Sequence, residues 1–281
     1  NLETLQKVMN KEDLNFTSEA FKNHQKHPTG YETINEYMER DFVVPKDFED
    51  YAYVSQLLQA RGMKTANESH RRAKPYCMGT LYWQFNDCWP VTSWSSLDYY
   101  GNWKAFHYQA KRSFENLLFS IEEENDSYRI YIVNDDLKQY SGELVIDLID
   151  FNGTKLWNKK IIFIASENSS KIHFEIPKKD FLAFNLKQAV LSVSFPPLEQ
   201  IYTRHYFFKP KDLQITKPNI QIKIIDEVTI EISSDVLAKD VFLSSENDTF
   251  FEDNYFDLLP NEKRIIKFSK PVQNIKVFDC P

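Results

Sequence analysis

Residues 77–108 read CMGTLYWQFNDCWPVTSWSSLDYYGNWKAFHY, and this stretch decides the fold prediction for the first part of the chain. Its opening segment, residues 77–85, is nearly continuous in apolar and aromatic residues and does not alternate. Such a pattern is typical of a strand buried on both faces of a parallel sheet. A polar loop rich in aromatic residues follows over residues 86–102, the aromatic loop, and a helix is expected over about residues 103–115.

A second helix precedes this stretch. Asp47 can accept an N-cap hydrogen bond, apolar residues recur at helical spacing from Tyr51, and Pro75 stops the pattern, so a helix is expected to reach Arg72. The order helix, buried strand, long loop, helix predicts one and a half units of an α/β architecture.

After Asn116 the pattern changes to short alternating strands. Seven are expected in about 95 residues, with Asn152-Gly153 as a hairpin turn between two of them, which predicts an immunoglobulin-like sandwich. Beyond Lys209-Pro210-Lys211, five more strands predict a smaller all-β unit that should lean on its neighbour. The predicted domains are therefore residues 1–116, 117–210 and 211–281, the last being the C-terminal β unit.

The composition excludes several functional classes. A formal net charge of -7 disfavours a nucleic-acid partner, and no apolar run reaches the roughly 20 residues of a membrane span. The three cysteines include no Cys-x-x-Cys pair, which argues against a disulfide framework and a zinc site. His24-x-x-His27 lacks a third ligand, so no metal site is predicted. The chain opens at Asn1 in a polar segment, as an excerpt of a longer protein would.

The aromatic loop suggests a sugar site. Trp83 comes where the predicted strand ends, and Asn86 and Asp87 open the loop, so an aromatic ring lies beside amide and carboxylate groups that can bind hydroxyls. The spacing leaves open whether Trp83 or its neighbour Tyr82 faces the site. Asp87 is a candidate for substrate binding, although it could equally hold the loop by binding backbone amides.

Structural roles are favoured for the other aromatic candidates of this stretch. Trp89, Trp94 and Trp103 are expected to pack within the core or the loop. His107, in the helix that follows, is expected to be a packed or hydrogen-bonded residue.

Several motifs together resemble the β-mannosidases of glycoside hydrolase family 2. They are YWQFNDCWP, SWSSLDYYG and WKAFHY within residues 77–108, along with HQKHPTG, YVSQLLQARGMKT, ESHRR and EDNYFDLLPNE elsewhere. The resemblance implies that residues 1–116 are the C-terminal part of a (β/α)8 barrel, with residues 77–85 as its eighth strand, followed by two accessory immunoglobulin-like β-sandwiches. It also implies that Trp83 packs against the mannose at the cleavage site. A periplasmic or extracellular location is favoured on the same basis, and no cofactor is expected.

The same family uses two glutamates, an acid/base and a nucleophile, with retention of configuration. By resemblance these end barrel strands four and seven, and the chain is expected to begin after strand seven, so no catalytic residue is assigned within it. Asn67-Glu68 imitates the Asn-Glu pair that carries the acid/base, but it lies near the end of the helix that reaches Arg72. Glu68 is therefore expected to be a solvated helical residue.

The leading hypothesis is a parent enzyme that releases terminal β-D-mannose from mannosides or mannose-containing oligosaccharides. The chain would supply part of the sugar pocket and would be inactive without the rest of the parent chain. Two alternatives remain open. One is a non-catalytic carbohydrate-binding or scaffolding module, and the other is a relative of β-galactosidases or β-glucuronidases.

Overall fold

The computed structural model describes residues 1–247, 249–272 and 274–280. The first part of the chain is helical, with α1 (Leu2–Gln6), α2 (Glu19–Asn23), α3 (Gly30–Asp41), α4 (Phe48–Arg72) and α5 (Ala105–Ser113). Asp47 caps α4 as predicted, because its side chain accepts hydrogen bonds from the backbone nitrogens of Glu49 at 2.9 Å and Asp50 at 3.3 Å. Helix α4 also ends at Arg72, as the sequence predicts. No described helix is both long and apolar enough to cross a membrane.

The buried strand predicted over residues 77–85 is wrong for this structure. All nine residues are described, and none belongs to a strand. Exposure alternates along residues 80–85 instead, so that Leu81, Trp83 and Phe85 face solvent while the other side chains of the segment are less exposed. A continuous apolar run becomes a two-sided buried strand only when neighbouring strands pair with it, and no described strand lies beside this segment.

The predicted immunoglobulin-like sandwich is present, and all seven expected strands form. Strands β1 (Leu117–Glu123), β2 (Ser127–Asn134) and β5 (Ser169–Pro177) make one antiparallel sheet in the order β1-β2-β5. The second sheet has the order β4-β3-β6-β7, from β3 (Tyr140–Asp150), β4 (Lys155–Ala165), β6 (Ala189–Ser194) and β7 (Tyr202–Tyr206). Alternating apolar residues of both sheets, such as Phe119, Ile130 and Leu144, fill the core between them.

The hairpin of β3 and β4 shows how the sequence pattern sets this arrangement. Leu144 and Ile146 are both fully buried in the core, and they lie two residues apart on β3, so both side chains point to the same face of the sheet. The turn that follows β3 contains Gly153 at a φ of 97°, a left-handed conformation that glycine adopts without steric cost.

Among its described residues, the C-terminal β unit contains the five predicted strands and one more. Strands β8 (Ile220–Asp226), β9 (Thr229–Ser234) and β12 (Lys263–Lys267) form a sheet in the order β12-β9-β8. The second sheet has the order β11-β10-β13, from β10 (Ala238–Ser244), β11 (Phe256–Leu258) and β13 (Lys276–Phe278). Strand β11 is only three residues long and is not predicted by the sequence pattern.

The C-terminal β unit leans on the helices as well as on the first sandwich. Tyr255 and Cys280 share a buried cluster with Tyr53 and Val54 of α4 and Tyr108 of α5. This contact supplies apolar burial that a unit of this size needs for stability.

The connector between the two β units is also attached to the helical part. The Lys209 ammonium donates to the Arg40 carbonyl at 2.9 Å, and the Lys211 ammonium donates to the Glu39 carbonyl at 2.7 Å. Both acceptors lie in the last turn of α3, where carbonyl groups have no partner within the helix. Two lysines of the connector therefore cap the C-terminal end of α3.

Candidate functional site

A large open cavity of about 980 Å³ lies among the helices of the first part. Its lining comes from α1, α3 and α4, and also from Trp83 and residues 91–94 of the aromatic loop. Its volume is at the upper end of the range typical of small-molecule sites. The cavity is therefore the candidate site.

Trp83 is the sugar-binding candidate that faces this cavity. Its side chain is 77% exposed, and its ring lines the open space. Tyr82 points the other way, where its ring packs edge-on against Phe106 at a centroid distance of 4.6 Å and its hydroxyl lies 3.1 Å from Ser96 Oγ. The structure thus answers the question that spacing left open: Tyr82 packs inward against α5, and Trp83 is available to a ligand. The peptide bond between Trp83 and Gln84 is cis.

Asp87 lies close to Trp83 in sequence but is turned into the loop. Its side chain is buried, and its carboxylate accepts hydrogen bonds from Ser93 Oγ at 2.8 and 2.9 Å, from Gln84 Nε2 at 3.1 Å and from Ser95 Oγ. These bonds connect the start of the aromatic loop to its middle. The carboxylate therefore has several partners within the loop, so the geometry favours the loop-holding interpretation over direct contact with a ligand.

Ser96, which the sequence does not single out, connects the aromatic loop to the residues that follow Trp83. It is fully buried, its backbone nitrogen donates to the Gln84 carbonyl at 2.9 Å, and its hydroxyl donates to the Phe85 carbonyl at 3.0 Å. Its carbonyl accepts from the Lys104 nitrogen at 3.0 Å. The residues that follow Trp83 are thus fixed by contacts from further along the chain. No local pattern marks a serine for this role.

His107 reaches the same serine from α5, which confirms the packed, hydrogen-bonded role expected for it. Its Nδ1 lies 2.9 Å from Ser96 Oγ. Because the single hydroxyl proton of Ser96 goes to the Phe85 carbonyl, Nδ1 must be the donor in this pair. Burial lowers the pKa of His107, so the imidazole is neutral near pH 7 and carries its proton on Nδ1.

The other tryptophans of the stretch differ in their surroundings. Trp89 packs near His24 at 5.7 Å between ring centroids, and Trp103 packs against His107 at 4.3 Å, as the structural roles expected for them require. Trp94 is 43% exposed and lines the cavity, so it is open to a ligand as well as part of the loop.

Glu68 is not the solvated helical residue that the sequence predicts. It is 5% exposed, accepts a hydrogen bond from Ser120 Oγ of β1 at 2.7 Å and lies 3.4 Å from the Lys64 ammonium. The helix itself is as predicted, but the first sandwich covers this side of α4. Glu68 therefore joins α4 to the sandwich.

The aromatic loop contains two carboxylates, and both accept hydrogen bonds from within the loop. Asp98, like Asp87, is buried, and it accepts hydrogen bonds from the backbone nitrogens of Tyr100 and Asn102, both at 2.9 Å. Burial lowers the pKa of the nearby Lys104 to about 8, while the charges of Asp87 and Asp98 oppose that shift. Both carboxylates are thus occupied by hydrogen bonds that hold the loop.

The histidines of the first part do not form a metal centre. His24 Nδ1 lies 2.6 Å from the Pro90 carbonyl, to which it donates. Within the part of the chain that the structure describes, no group of three or more His, Cys, Asp or Glu residues could hold a metal ion.

Two family models match the β units. Residues 126–212 match a mannosidase Ig/CBM-like domain, and residues 215–277 match an Ig-fold domain of mannosidases. A β-mannosidase of Mus musculus is 29% identical over 246 residues, which cover 79% of this chain and 28% of the relative. A β-mannosidase of Capra hircus is 39% identical over 146 residues, which cover 47% of this chain and 16% of the relative. The crystal structure of the β-D-mannosidase from Dictyoglomus thermophilum matches with a TM-score of 0.89 at 29% identity, covering 99% of this chain and 36% of that one.

The chain is homologous to β-mannosidases. The resemblance found in the sequence is thereby confirmed, and both β units are immunoglobulin-like domains of the mannosidase type. The exo-chitosanase CsxA of Amycolatopsis orientalis shares the fold at 14% identity, with a TM-score of 0.74. The chain spans well under half of the length of these mannosidases: 28% of the mouse relative, 16% of the goat relative and 36% of the bacterial one.

Proposed function

We propose that this chain works as the C-terminal part of a longer glycoside hydrolase that releases terminal β-D-mannose with retention of configuration. Trp83 would pack against the sugar at the cleavage site. The single observation that carries the proposal is the position of this indole, which is 77% exposed at a cavity of about 980 Å³ and is followed by two residues whose carbonyls are hydrogen-bonded to Ser96. Flat aromatic rings bind the C–H face of a pyranose, so an exposed indole on a fixed backbone is a suitable platform.

The helical part would be the end of a (β/α)8 barrel. Residues 77–85 form no strand in this structure, so they would pair as the last barrel strand only beside strands of the parent chain, with α4 before them and α5 after them. The alternation of exposure along residues 80–85 supports this, because it presents Leu81, Trp83 and Phe85 on one face of an extended segment. In a complete barrel, neighbouring strands would pair with this segment, and functional groups would gather where it ends.

Substrate binding would be divided between two residues. Trp83 would contact the mannoside, and Asp87 would contribute by holding the loop that presents it. The two catalytic glutamates would come from the rest of the parent chain, so the chain alone would be inactive. The substrate class would be mannosides or mannose-containing oligosaccharides, and the parent chain would be the partner.

The test is an assay of the full-length protein with aryl β-mannoside and aryl β-galactoside. Trp83→Ala should lower kcat/KM for the mannoside about 10- to 100-fold, the loss expected when a stacking contact of roughly 1.5–3 kcal/mol is removed. Tyr76→Ala is the matched control, because Tyr76 is 97% exposed and does not line the cavity. Equal losses in both variants would contradict the role of Trp83, and a preference for the galactoside would favour the β-galactosidase alternative.

A further inference from the structure

An aromatic contact series leads from the C-terminal β unit to the loop that presents Trp83. The Phe250 ring meets Trp103 edge-on at 4.9 Å between centroids, and Trp103 meets His107 edge-on at 4.3 Å. His107 in turn lies edge-on to Phe85 at 5.7 Å. Rings at these distances and angles pack favourably, so the position of each restricts the next.

Hydrogen bonds continue the series to the backbone beside Trp83. His107 donates to the Ser96 hydroxyl, which donates to the Phe85 carbonyl, and the Ser96 nitrogen donates to the Gln84 carbonyl. Leu97 adds a bond from its nitrogen to the Phe85 carbonyl at 2.8 Å. A shift of His107 would therefore change the geometry of the residues directly after Trp83.

The segment that carries Phe250 is itself anchored to α5. Tyr108 donates from its hydroxyl to the Phe251 carbonyl at 2.9 Å, and Arg112 pairs with Asp253 at 2.5 Å. Within the C-terminal β unit, the Phe250 nitrogen donates to Ser269 Oγ at 3.1 Å. Phe250 is thus fixed from both sides, although its own ring is 40% exposed.

We propose that the C-terminal β unit sets the position of the sugar-binding indole, with Phe250 as the positioning residue that acts through Trp103, His107 and Ser96. This inference rests on the proposed function of Trp83. The accessory unit would then affect substrate binding without touching the sugar. Because the stack on Trp83 is made in the bound ground state as well as in the transition state, loosening it should raise KM more than it lowers kcat.

The experiment compares three variants of the full-length protein. Phe250→Ala removes the contact with Trp103, and Phe250→Tyr keeps an aromatic ring in its place. Phe278→Ala is the matched control, since Phe278 belongs to the same unit but packs near Tyr53 and Phe242 instead. Hydrogen exchange is followed at the backbone amides of residues 96 and 97, and KM and kcat are measured with aryl β-mannoside.

Phe250→Ala should speed exchange at residues 96 and 97 and raise KM about three- to tenfold with little change in kcat, the pattern of lost uniform binding. Phe250→Tyr should restore both, and Phe278→Ala should change neither. Unchanged exchange in Phe250→Ala, or an equal change in Phe278→Ala, would overturn the proposal. Failure of the proposed function is seen separately: Trp83→Ala would then leave mannoside hydrolysis unaffected, whatever the exchange rates are.

Discussion

His205 should make the first sandwich less stable in mild acid. Burial lowers the pKa of this imidazole to about 4, although the Glu123 carboxylate 3.7 Å away acts in the opposite direction. The positive charges of Lys64, Arg61 and Lys178 lower it further. The pKa of a histidine in an unfolded chain is about 6.5. At pH values between the folded and the unfolded pKa, the unfolded chain therefore binds a proton at His205 that the folded chain does not.

The sign and the size follow from that difference. The contribution of neutral His205 to stability is fully present above about pH 6.5. It decreases as the pH falls and is lost completely once the pH reaches the pKa of His205 in the folded protein. Linkage gives a loss of roughly 2 kcal/mol between about pH 7.5 and about pH 5. The pH range lies above the usual pKa of carboxylates. His107 and His173 contribute in the same direction as His205, because burial lowers the pKa of each of them too.

Urea unfolding at the two pH values measures the loss, followed by tryptophan fluorescence, in which Trp157 reports on the sandwich core. His205→Gln isolates the contribution of His205, since glutamine does not titrate and leaves His173 in place. The variant should lose roughly 2 kcal/mol less than the wild type between the two pH values. An equal loss in both proteins would refute the reasoning, and NMR titration of His205 in the wild type gives an independent check.

Two further sets of substitutions test the fold. Gly153→Ala should lower the free energy of unfolding by about 1–3 kcal/mol, because φ is 97° and the new Cβ would lie 2.9 Å from Pro260. Gly62→Ala should raise the free energy of unfolding by about 0.5–1 kcal/mol, because Gly62 lies in the middle of α4 and the new Cβ would meet nothing within 4 Å. Thermal unfolding of both glycine variants measures these changes, and a change of the same sign in both would contradict the prediction. Glu68→Ala should lower the free energy of unfolding by about 1–3 kcal/mol, because it leaves the Ser120 hydroxyl without its acceptor. Glu68→Gln keeps an acceptor oxygen and should lower it less. Equal losses of stability for the two variants in urea unfolding would contradict this prediction.

The β units were largely predictable, because alternating strands and a hairpin turn are local signals. Strand β11 was missed since three residues are too few to show a period, and its pairing with β10 is decided by long-range contacts. The strand prediction for residues 77–85 was wrong for a different reason. Their apolar composition indicates burial, but the formation of a strand depends on partner strands that the local sequence does not specify.

The site was predictable in its aromatic part and not in its polar part. Trp83 stands out by residue type and position. The role of Ser96 arises instead from five contacts with residues distant in sequence, namely Tyr82, Gln84, Phe85, Lys104 and His107. Glu68 shows the same limit, because helical periodicity places it on a face of α4 but not under the sandwich that covers it.

The lysine contacts at the end of α3 fix the first part of the connector. Lys209 and Lys211 lie within five residues of the end of β7, so the chain is attached to the helical part as soon as it leaves the first sandwich. Residues 212–219, which lead on to β8, take no part in these two bonds. The connector is therefore held at its start by two hydrogen bonds, whereas the C-terminal β unit beyond it is held against the same helices by buried apolar contacts.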